Sequence, residues 1–126
     1  MREAVSITVA DRSTRAPQVY ALGNGEGGFS AVACLHPSFF GTEEQLGEHL
    51  AVPICIIPAK DDPMEITQGI CAGKPFAAKC KFQRFDHMMH GFMAARGDFN
   101  DAAVVKAVGE ANGILAAFFE ENLPQA

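Results

Sequence analysis

Apolar residues occur along this chain in short continuous runs, separated by stretches in which they recur every three or four positions. Phe29–Leu35 and Ile54–Ile57 are apolar or small throughout. Such runs are typical of strands that helices cover on both faces, so we predict two buried strands. From Asp101 to Leu123 the apolar residues follow the helical repeat, which predicts a long amphipathic helix capped by Asn100 or Asp101.

Two further strands are predicted beside the buried ones. Residues 78–85 alternate, with Cys80, Phe82 and Arg84 on one face and polar side chains on the other, as expected nearer the edge of a sheet. Residues 5–9 alternate as well, which predicts an edge strand near the N-terminus.

Shorter helices are predicted between the strands from their start and stop signals. The strand-helix order that results predicts a parallel sheet with right-handed crossovers. We therefore expect an α/β fold with a small parallel sheet of three to four strands flanked by helices. The predicted short helices are 16–22, begun by Pro17 and ended by Gly23; 42–50, capped by Thr42; and 64–72, ended by Gly73 and Pro75.

The chain length allows one domain with one hydrophobic core, because 126 residues lie within the usual size of a single domain. Neither an internal repeat nor a linker divides the sequence. Residues 1–15 are treated as a separate N-terminal segment, either an edge strand followed by a polar loop or a disordered stretch. Residues 16–126 are expected to form the domain.

Composition and charge exclude several classes of partner. The net charge of -5 provides no basic surface for nucleic acid or for an anionic membrane. No uninterrupted apolar run approaches the roughly 20 residues that span a bilayer, and the N-terminus lacks the apolar core of a signal peptide. We expect a cytoplasmic protein with neither a nucleic-acid partner nor a membrane partner.

Titratable side chains follow three of the predicted strands at the points where the strands end. His36 follows the first buried strand, Asp61 and Asp62 follow the second, and His87 and His90 follow the third. Loops at the carboxyl ends of parallel strands converge on one edge of a sheet. A carboxylate and an imidazole that meet there can share a hydrogen bond and act as an acid-base pair.

Structural roles compete with this interpretation. Asp62 before Pro63 is a common start of a turn, and His87 and His90 with Asp86 form a weak set of metal ligands. The glycines of residues 23–28 match the spacing of a dinucleotide-binding loop, but they follow a helix and precede a strand, which inverts the required order. We therefore predict neither a metal nor a cofactor.

Four cysteines lie in apolar surroundings without a Cys-x-x-Cys spacing. They are predicted to be small buried residues kept reduced, and a disulfide remains an alternative. They are Cys34, Cys55, Cys71 and Cys80.

Three segments resemble the C-terminal half of the dienelactone hydrolase family of α/β-hydrolases. They are 31–38, 52–64 and, most specifically, 90–98, in which His-Gly-Phe is followed by Arg-Gly-Asp. The resemblance covers about three quarters of the chain, from Phe29 to Leu123. It implies a truncated α/β-hydrolase domain that acts on small esters or lactones. It also implies that His90 is the general base and Asp62, in preference to Asp61, the acid that orients it.

The nucleophile of that family is the cysteine of a Gly-x-Cys-x-Gly elbow, and relatives use a serine in its place. The present sequence departs from this pattern. The corresponding stretch contains Ser13 and Thr14 without flanking glycines, and Ser30 also lacks the second glycine of an elbow. Two functions follow as hypotheses. One is a hydrolase whose nucleophile is missing from this chain, and the other is an inactive pseudo-hydrolase that serves as an interaction module. An exposed sheet edge would favour a homodimer.

Overall fold

The computed structural model describes residues 4–9, 29–37, 44, 48–94 and 96–123, and within 4–9 it describes the backbone alone. Its centre is a parallel sheet of four strands in the order β1-β2-β3-β4. The predicted α/β class and the parallel sheet are confirmed. The elements are β1 (Ala4–Val9), β2 (Phe29–Leu35), β3 (Ile54–Ile57), α1 (Glu65–Cys71), a 3-10 turn (Ala77–Lys79), β4 (Lys81–Phe82) and α2 (Ala102–Asn122).

Apart from Ser30, the two central strands are apolar because both of their faces are covered. They pair in the register Val32 with Ile54 through Leu35 with Ile57, and alternate residues enter two separate apolar clusters. The cluster on one face includes side chains of α2, and the cluster on the other face includes Leu50, Val52 and Cys71. The strand residues on the α2 face are Ala31, Ala33, Leu35, Cys55 and Ile57.

Helix α2 covers one face of the sheet and begins at a side-chain cap. The carboxylate of Asp101 accepts a hydrogen bond from the Ala103 N–H at 2.9 Å, which satisfies a backbone donor that the first turn leaves free. Asp101 is therefore the cap, rather than Asn100. The buried stripe of α2 consists of Ala107, Ala111, Leu115, Phe118 and Phe119.

By length and apolar composition alone, α2 is also a segment that could cross a membrane. It is not an uninterrupted apolar run, because Lys106 and Glu110 lie within it. Its buried stripe packs against β2 and β3 residues in the α2-side cluster, and 28% of the apolar window is buried.

The third predicted strand is shorter than the sequence indicated. Residues 77–79 form a 3-10 turn, and the regular strand β4 covers Lys81–Phe82 alone. Beyond it the chain continues beside β3 with irregular contacts. The Phe85 N–H donates to the Pro58 carbonyl oxygen at 2.8 Å, and Phe85 forms an isolated parallel bridge with Ala59. The predicted strand is therefore present in the parallel sheet, but it is shorter than the 78–85 that the alternation indicated.

The predicted N-terminal edge strand is confirmed as β1, which pairs with β2 from Val5 with Ala31 to Val9 with Leu35. The predicted helix 64–72 is one residue shorter at each end. The predicted helix 16–22 lies outside the described residues, as does most of 42–50, in which Glu48 and His49 are helical.

Candidate functional site

The carboxyl ends of the strands bring together three of the five side chains that the sequence singled out. Asp62, from the turn after β3, contacts His90 from the segment after β4, and His36 from the end of β2 lies against His90. Asp61 is exposed. His87 is exposed as well and stacks on Phe85, away from these contacts. The predicted meeting of positions 62 and 90 is confirmed, with Asp62 rather than Asp61 as the carboxylate.

The carboxylate of Asp62 is buried and held at both oxygens. Oδ1 lies 2.7 Å from Nδ1 of His90, and Oδ2 accepts a hydrogen bond from the Ala59 N–H at 2.8 Å. Its side chain is 7% exposed, whereas that of His90 is 35% exposed. Asp62 is therefore held by the backbone of its own turn, while the imidazole of His90 is partly exposed to solvent.

This contact determines which nitrogen of His90 is free for chemistry. An ionised carboxylate can only accept hydrogen bonds, so Nδ1 of His90 donates its proton to Asp62. In the neutral ring Nε2 then carries the lone pair. An imidazole in this state can take a proton at Nε2 while the carboxylate behind it stabilises the resulting cation.

His36 supports the imidazole of His90 from the interior. It is fully buried, and its ring lies edge-on to that of His90, with a centroid separation of 5.3 Å and an interplanar angle of 73°. It also contacts the ring of Phe92 at 5.9 Å. The side chain of His36 therefore lies in the interior against the ring of His90.

The backbone of His36 adopts an uncommon conformation at the end of β2. Its φ angle is 34°, in the left-handed region that side chains with a Cβ rarely occupy. Strain of this kind costs about 1–3 kcal/mol and occurs preferentially at functional sites. The N–H of His36 still bonds the carbonyl oxygen of Ile57 at 2.8 Å, so the strand pairing continues up to this residue.

The segment after His90 is a compact turn that depends on two glycines. Gly91 has a φ of 85° and packs against the side chain of Arg96, while the Arg96 N–H donates to the Gly91 carbonyl oxygen at 3.3 Å. A Cβ at Gly97 would overlap the carbonyl oxygen of Phe92. The Gly residues of His-Gly-Phe and Arg-Gly-Asp are therefore required by backbone geometry. Asp98 then leads into α2 by accepting the N–H of Asn100 at 3.0 Å.

Arg84 is a site residue that sequence reasoning missed. Its guanidinium contacts three carbonyl oxygens of the turn that carries Asp62, those of Ala59, Lys60 and Asp62. A signal was present in the sequence, because Arg84 shares the apolar face of the predicted strand with Cys80 and Phe82. A charged residue in such a position usually has a buried partner.

The three methionines near His90 divide between core and surface. Met88 is buried, and Met93 packs against the same cluster on the α2 side. Met89 is 69% exposed, one residue before His90. Met88 and Met93 therefore contribute to the core, whereas Met89 lies at the surface.

The buried cysteines are poor nucleophiles for His90, and Cys80 lines a cavity away from it. Cys34, Cys55 and Cys71 are buried and all four cysteines are free thiols. Burial, followed by the negative charge of Asp62, raises the pKa of Cys34 well above its usual range, and burial raises the pKa of Cys55 to about 12. A protonated thiol is a poor nucleophile.

Ser30 is not placed to supply the nucleophile to His90. Ser30 lies near the start of β2, at the amino end of a parallel sheet whose acid-base pair stands at the carboxyl ends. Ser13 and Thr14 fall outside the described residues.

No group of three metal-binding side chains occurs within the described ranges. A cavity of about 640 Å³ lies away from the acid-base pair, between residues 78–81 and the C-terminal half of α2. Cys80 and Lys81 line one wall of this cavity, and Glu110 and Phe118 line the other.

Two curated relatives from Schizosaccharomyces pombe are similar to this chain. The uncharacterized AIM2 family protein C977.15 is 30% identical over 96 residues, which cover 74% of this chain and 38% of that protein. The uncharacterized AIM2 family protein C30D10.14 is 30% identical over 95 residues, or 73% of this chain and 37% of that protein. No protein-family profile matches the chain, and no solved structure matches it. The chain spans less than two fifths of the length of these curated relatives.

Proposed function

We propose that this chain carries the base and the acid of a dienelactone hydrolase-like hydrolase of small esters or lactones. His90 is the general base and Asp62 orients it, within an α/β-hydrolase arrangement of strands. The observation that carries the proposal is the 2.7 Å contact between His90 Nδ1 and Asp62 Oδ1 at the carboxyl ends of a parallel sheet. The resemblance in 90–98 supports the same assignment of roles.

The proposed chemistry is proton transfer at Nε2 of His90. An attacking hydroxyl or thiol loses its proton to Nε2 as it adds to the carbonyl carbon of the ester. Asp62 keeps Nδ1 protonated and stabilises the imidazolium that forms. His90 then returns the proton from Nε2 to the departing alcohol, which leaves the nucleophile acylated. A water molecule adds to the acyl carbon and loses a proton to Nε2, and His90 gives this proton back to the departing nucleophile. The acid product is released and the pair ends the cycle in its starting state.

The attacking group is proposed to come from outside the described residues. The relatives extend well beyond the region that this chain matches, so the comparison leaves room for a Gly-x-Cys-x-Gly elbow upstream of β1.

Hydrolysis assays on two polypeptides test the proposal. We expect the 126-residue chain alone to show negligible turnover of para-nitrophenyl acetate and of a small lactone. A polypeptide extended upstream, in frame, through a Gly-x-Cys-x-Gly elbow is expected to hydrolyse both. In that polypeptide His90→Ala should lower kcat by about 10⁶-fold, the scale seen when the base of a triad is removed. Asp61→Asn is the control and should leave the rate unchanged.

Two outcomes would contradict the proposal. Turnover by the 126-residue chain that disappears in His90→Ala would place the nucleophile within this chain. An extended polypeptide with an elbow but without hydrolysis, or an upstream region without any elbow, would instead favour the inactive interaction module. The outer edge of β1, which is unpaired among the described strands, is the observation that supports that second function.

A further inference from the structure

We propose that Arg84 is a positioning residue for the acid-base pair, which fixes the turn carrying Asp62 and thereby the hydrogen bond from His90. This inference rests on the proposed function for its relevance to catalysis. It concerns a residue to which the resemblance gives no role.

The guanidinium of Arg84 binds the turn through its main chain. Nη1 lies 2.8 Å from the carbonyl oxygen of Ala59, 3.1 Å from that of Lys60 and 2.8 Å from that of Asp62. Nη1 carries two hydrogens, so one of them is shared between two carbonyl oxygens. Three backbone oxygens that converge on one cationic nitrogen define the path of the turn, and hydrogen bonds from a charged donor are stronger than neutral ones.

The side chain of Asp62 completes the same turn from the inside. Its Oδ2 accepts from the Ala59 N–H, while Oδ1 faces His90. The Asp62 N–H also donates to the Ala59 carbonyl oxygen at 3.3 Å, which closes the turn. Arg84 therefore holds the outer, carbonyl side of a turn whose inner side presents the carboxylate. A shift of the three carbonyls would move Oδ1 with them.

Arg84 also ties this turn to the segment that carries the base. The next residue, Phe85, donates its N–H to the Pro58 carbonyl oxygen, and the Lys60 N–H donates to the Met88 carbonyl oxygen at 3.0 Å. Residues 58–62 and 84–90 are thus joined by main-chain contacts, and the Arg84 side chain crosses from the second segment to the first. Displacement of the guanidinium would therefore shift both segments, and the separation of Asp62 and His90 would change.

The ion pair of Arg84 with Glu65 is separable from this role. Nη2 of Arg84 lies 2.7 Å from Oε1 of Glu65, and the Glu65 side chain is 73% exposed whereas that of Arg84 is 18% exposed. Exposed ion pairs contribute little. Glu65→Gln removes the negative partner but leaves the three carbonyl contacts through Nη1, which makes it the matched control.

The test uses Arg84→Gln, Arg84→Lys and Glu65→Gln in the full 126-residue chain. Lysine keeps the charge but lacks the planar fork that reaches several carbonyl oxygens at once. The measurement is the tautomer of His90, read from two-bond ¹H–¹⁵N correlation spectra at alkaline pH. The His90 signals are assigned by their loss in His90→Gln. Circular dichroism and thermal melts establish that each variant is folded.

In the unmodified chain and in Glu65→Gln we expect the Nδ1–H tautomer, held by Asp62. In folded Arg84→Gln and Arg84→Lys we expect a mixture in which the Nε2–H tautomer, which free imidazole side chains favour, becomes prominent. An unchanged tautomer in either folded Arg84 variant would overturn the proposal. Unfolding of both variants would overturn it too, because it would assign Arg84 to general stability.

These outcomes are distinguishable from a failure of the proposed function. A dependence of the tautomer on Arg84 without ester hydrolysis in the extended polypeptide would support the positioning role and contradict the hydrolase. Absence of the Nδ1–H tautomer in the unmodified chain would contradict the acid-base pair itself, and the positioning role with it.

Discussion

At the residue scale, Asp62 makes two hydrogen bonds that a shorter side chain cannot make. In Asp62→Ala the buried Ala59 N–H and Nδ1 of His90 both lose their acceptor. We expect the free energy of unfolding, measured by urea denaturation, to fall by about 1 to 3 kcal/mol, the cost of leaving a buried donor without a partner. Asp61→Ala is the matched control because Asp61 is exposed, and it should change the free energy by less than about 0.5 kcal/mol. Equal effects of the two changes would contradict the assignment of Asp62.

Cys80 is expected to be the most reactive of the four thiols. It is half-buried and lines the cavity beside α2, and a hydrogen bond from the Cys71 thiol lowers the pKa of Cys80 to about 7. Because the thiolate is the reactive form, alkylation by iodoacetamide should accelerate as the pH rises through about 7. The other three thiols should react slowly, since each has a raised pKa.

Peptide mass spectrometry of the alkylated chain gives the rate at each cysteine. Cys71→Ala removes the hydrogen-bond donor. The pH at which alkylation of Cys80 reaches half of its maximal rate is therefore expected to rise toward the usual thiol pKa of about 8.5. A midpoint that stays near neutral pH in this variant would show that the Cys71 thiol is not the cause of the lowered pKa.

The sequence predicted that Asp62 and His90 meet, but it did not predict the contacts that Arg84 and His36 make around them. Asp62 and His90 follow strands whose apolar patterns are strong, so their meeting follows from the geometry of a parallel sheet. The contacts of Arg84 depend on the path of a turn some 25 residues earlier, and the position of His36 beneath His90 depends on an uncommon backbone angle. Neither is encoded in local periodicity.

At the scale of elements, two glycines with opposite surroundings give a prediction about the turn after His90 and about α2. A Cβ at Gly109 of α2 would meet nothing within 4 Å, whereas a Cβ at Gly97 would overlap the Phe92 carbonyl oxygen. Gly109→Ala should therefore raise the free energy of unfolding by about 0.5 to 1 kcal/mol, through helix propensity. Gly97→Ala should lower it, because the turn must open to admit the methyl group.

The same urea denaturation experiments measure both variants. Gly113→Ala is a second test of the helix, since its Cβ also meets nothing within 4 Å. Stabilisation by Gly97→Ala would contradict the close approach of Gly97 to Phe92, and a loss of stability in both helix variants would contradict the exposed position of these glycines.

The elements that the sequence predicted best are those whose pattern reflects burial. Strands β2 and β3 have the predicted bounds and α2 departs by one residue at each end, because apolar runs and a helical stripe record which faces are covered. Strand β4 was predicted too long. Its alternation continues through Arg84, but the 3-10 turn at Ala77–Lys79 and the contact of Arg84 with the acid turn limit the regular pairing. Such long-range contacts leave no periodic signal.

At the scale of the whole molecule, the strand order leaves two sheet edges among the described elements. Strand β4 is short, and the neighbouring 78–81 segment shares a cavity wall with α2. Strand β1 has six residues and pairs with β2 on one side. A strand of that length with unpaired N–H and carbonyl groups is a template for pairing with another chain. We therefore expect the predicted homodimer, if it forms, to pair through the outer edge of β1.

Concentration-dependent hydrogen exchange tests this assignment on the 126-residue chain. Light scattering after size-exclusion chromatography is expected to give the mass of a dimer, and a stable monomer would contradict the prediction. If a dimer forms through β1, amides in 4–9 should gain protection as the protein concentration rises, because outward-facing N–H groups become paired across the interface. Amides of Lys81 and Phe82 at the other edge serve as the internal control and should not change. Protection gained at β4 rather than β1 would move the interface to the opposite side of the sheet, next to the cavity beside α2.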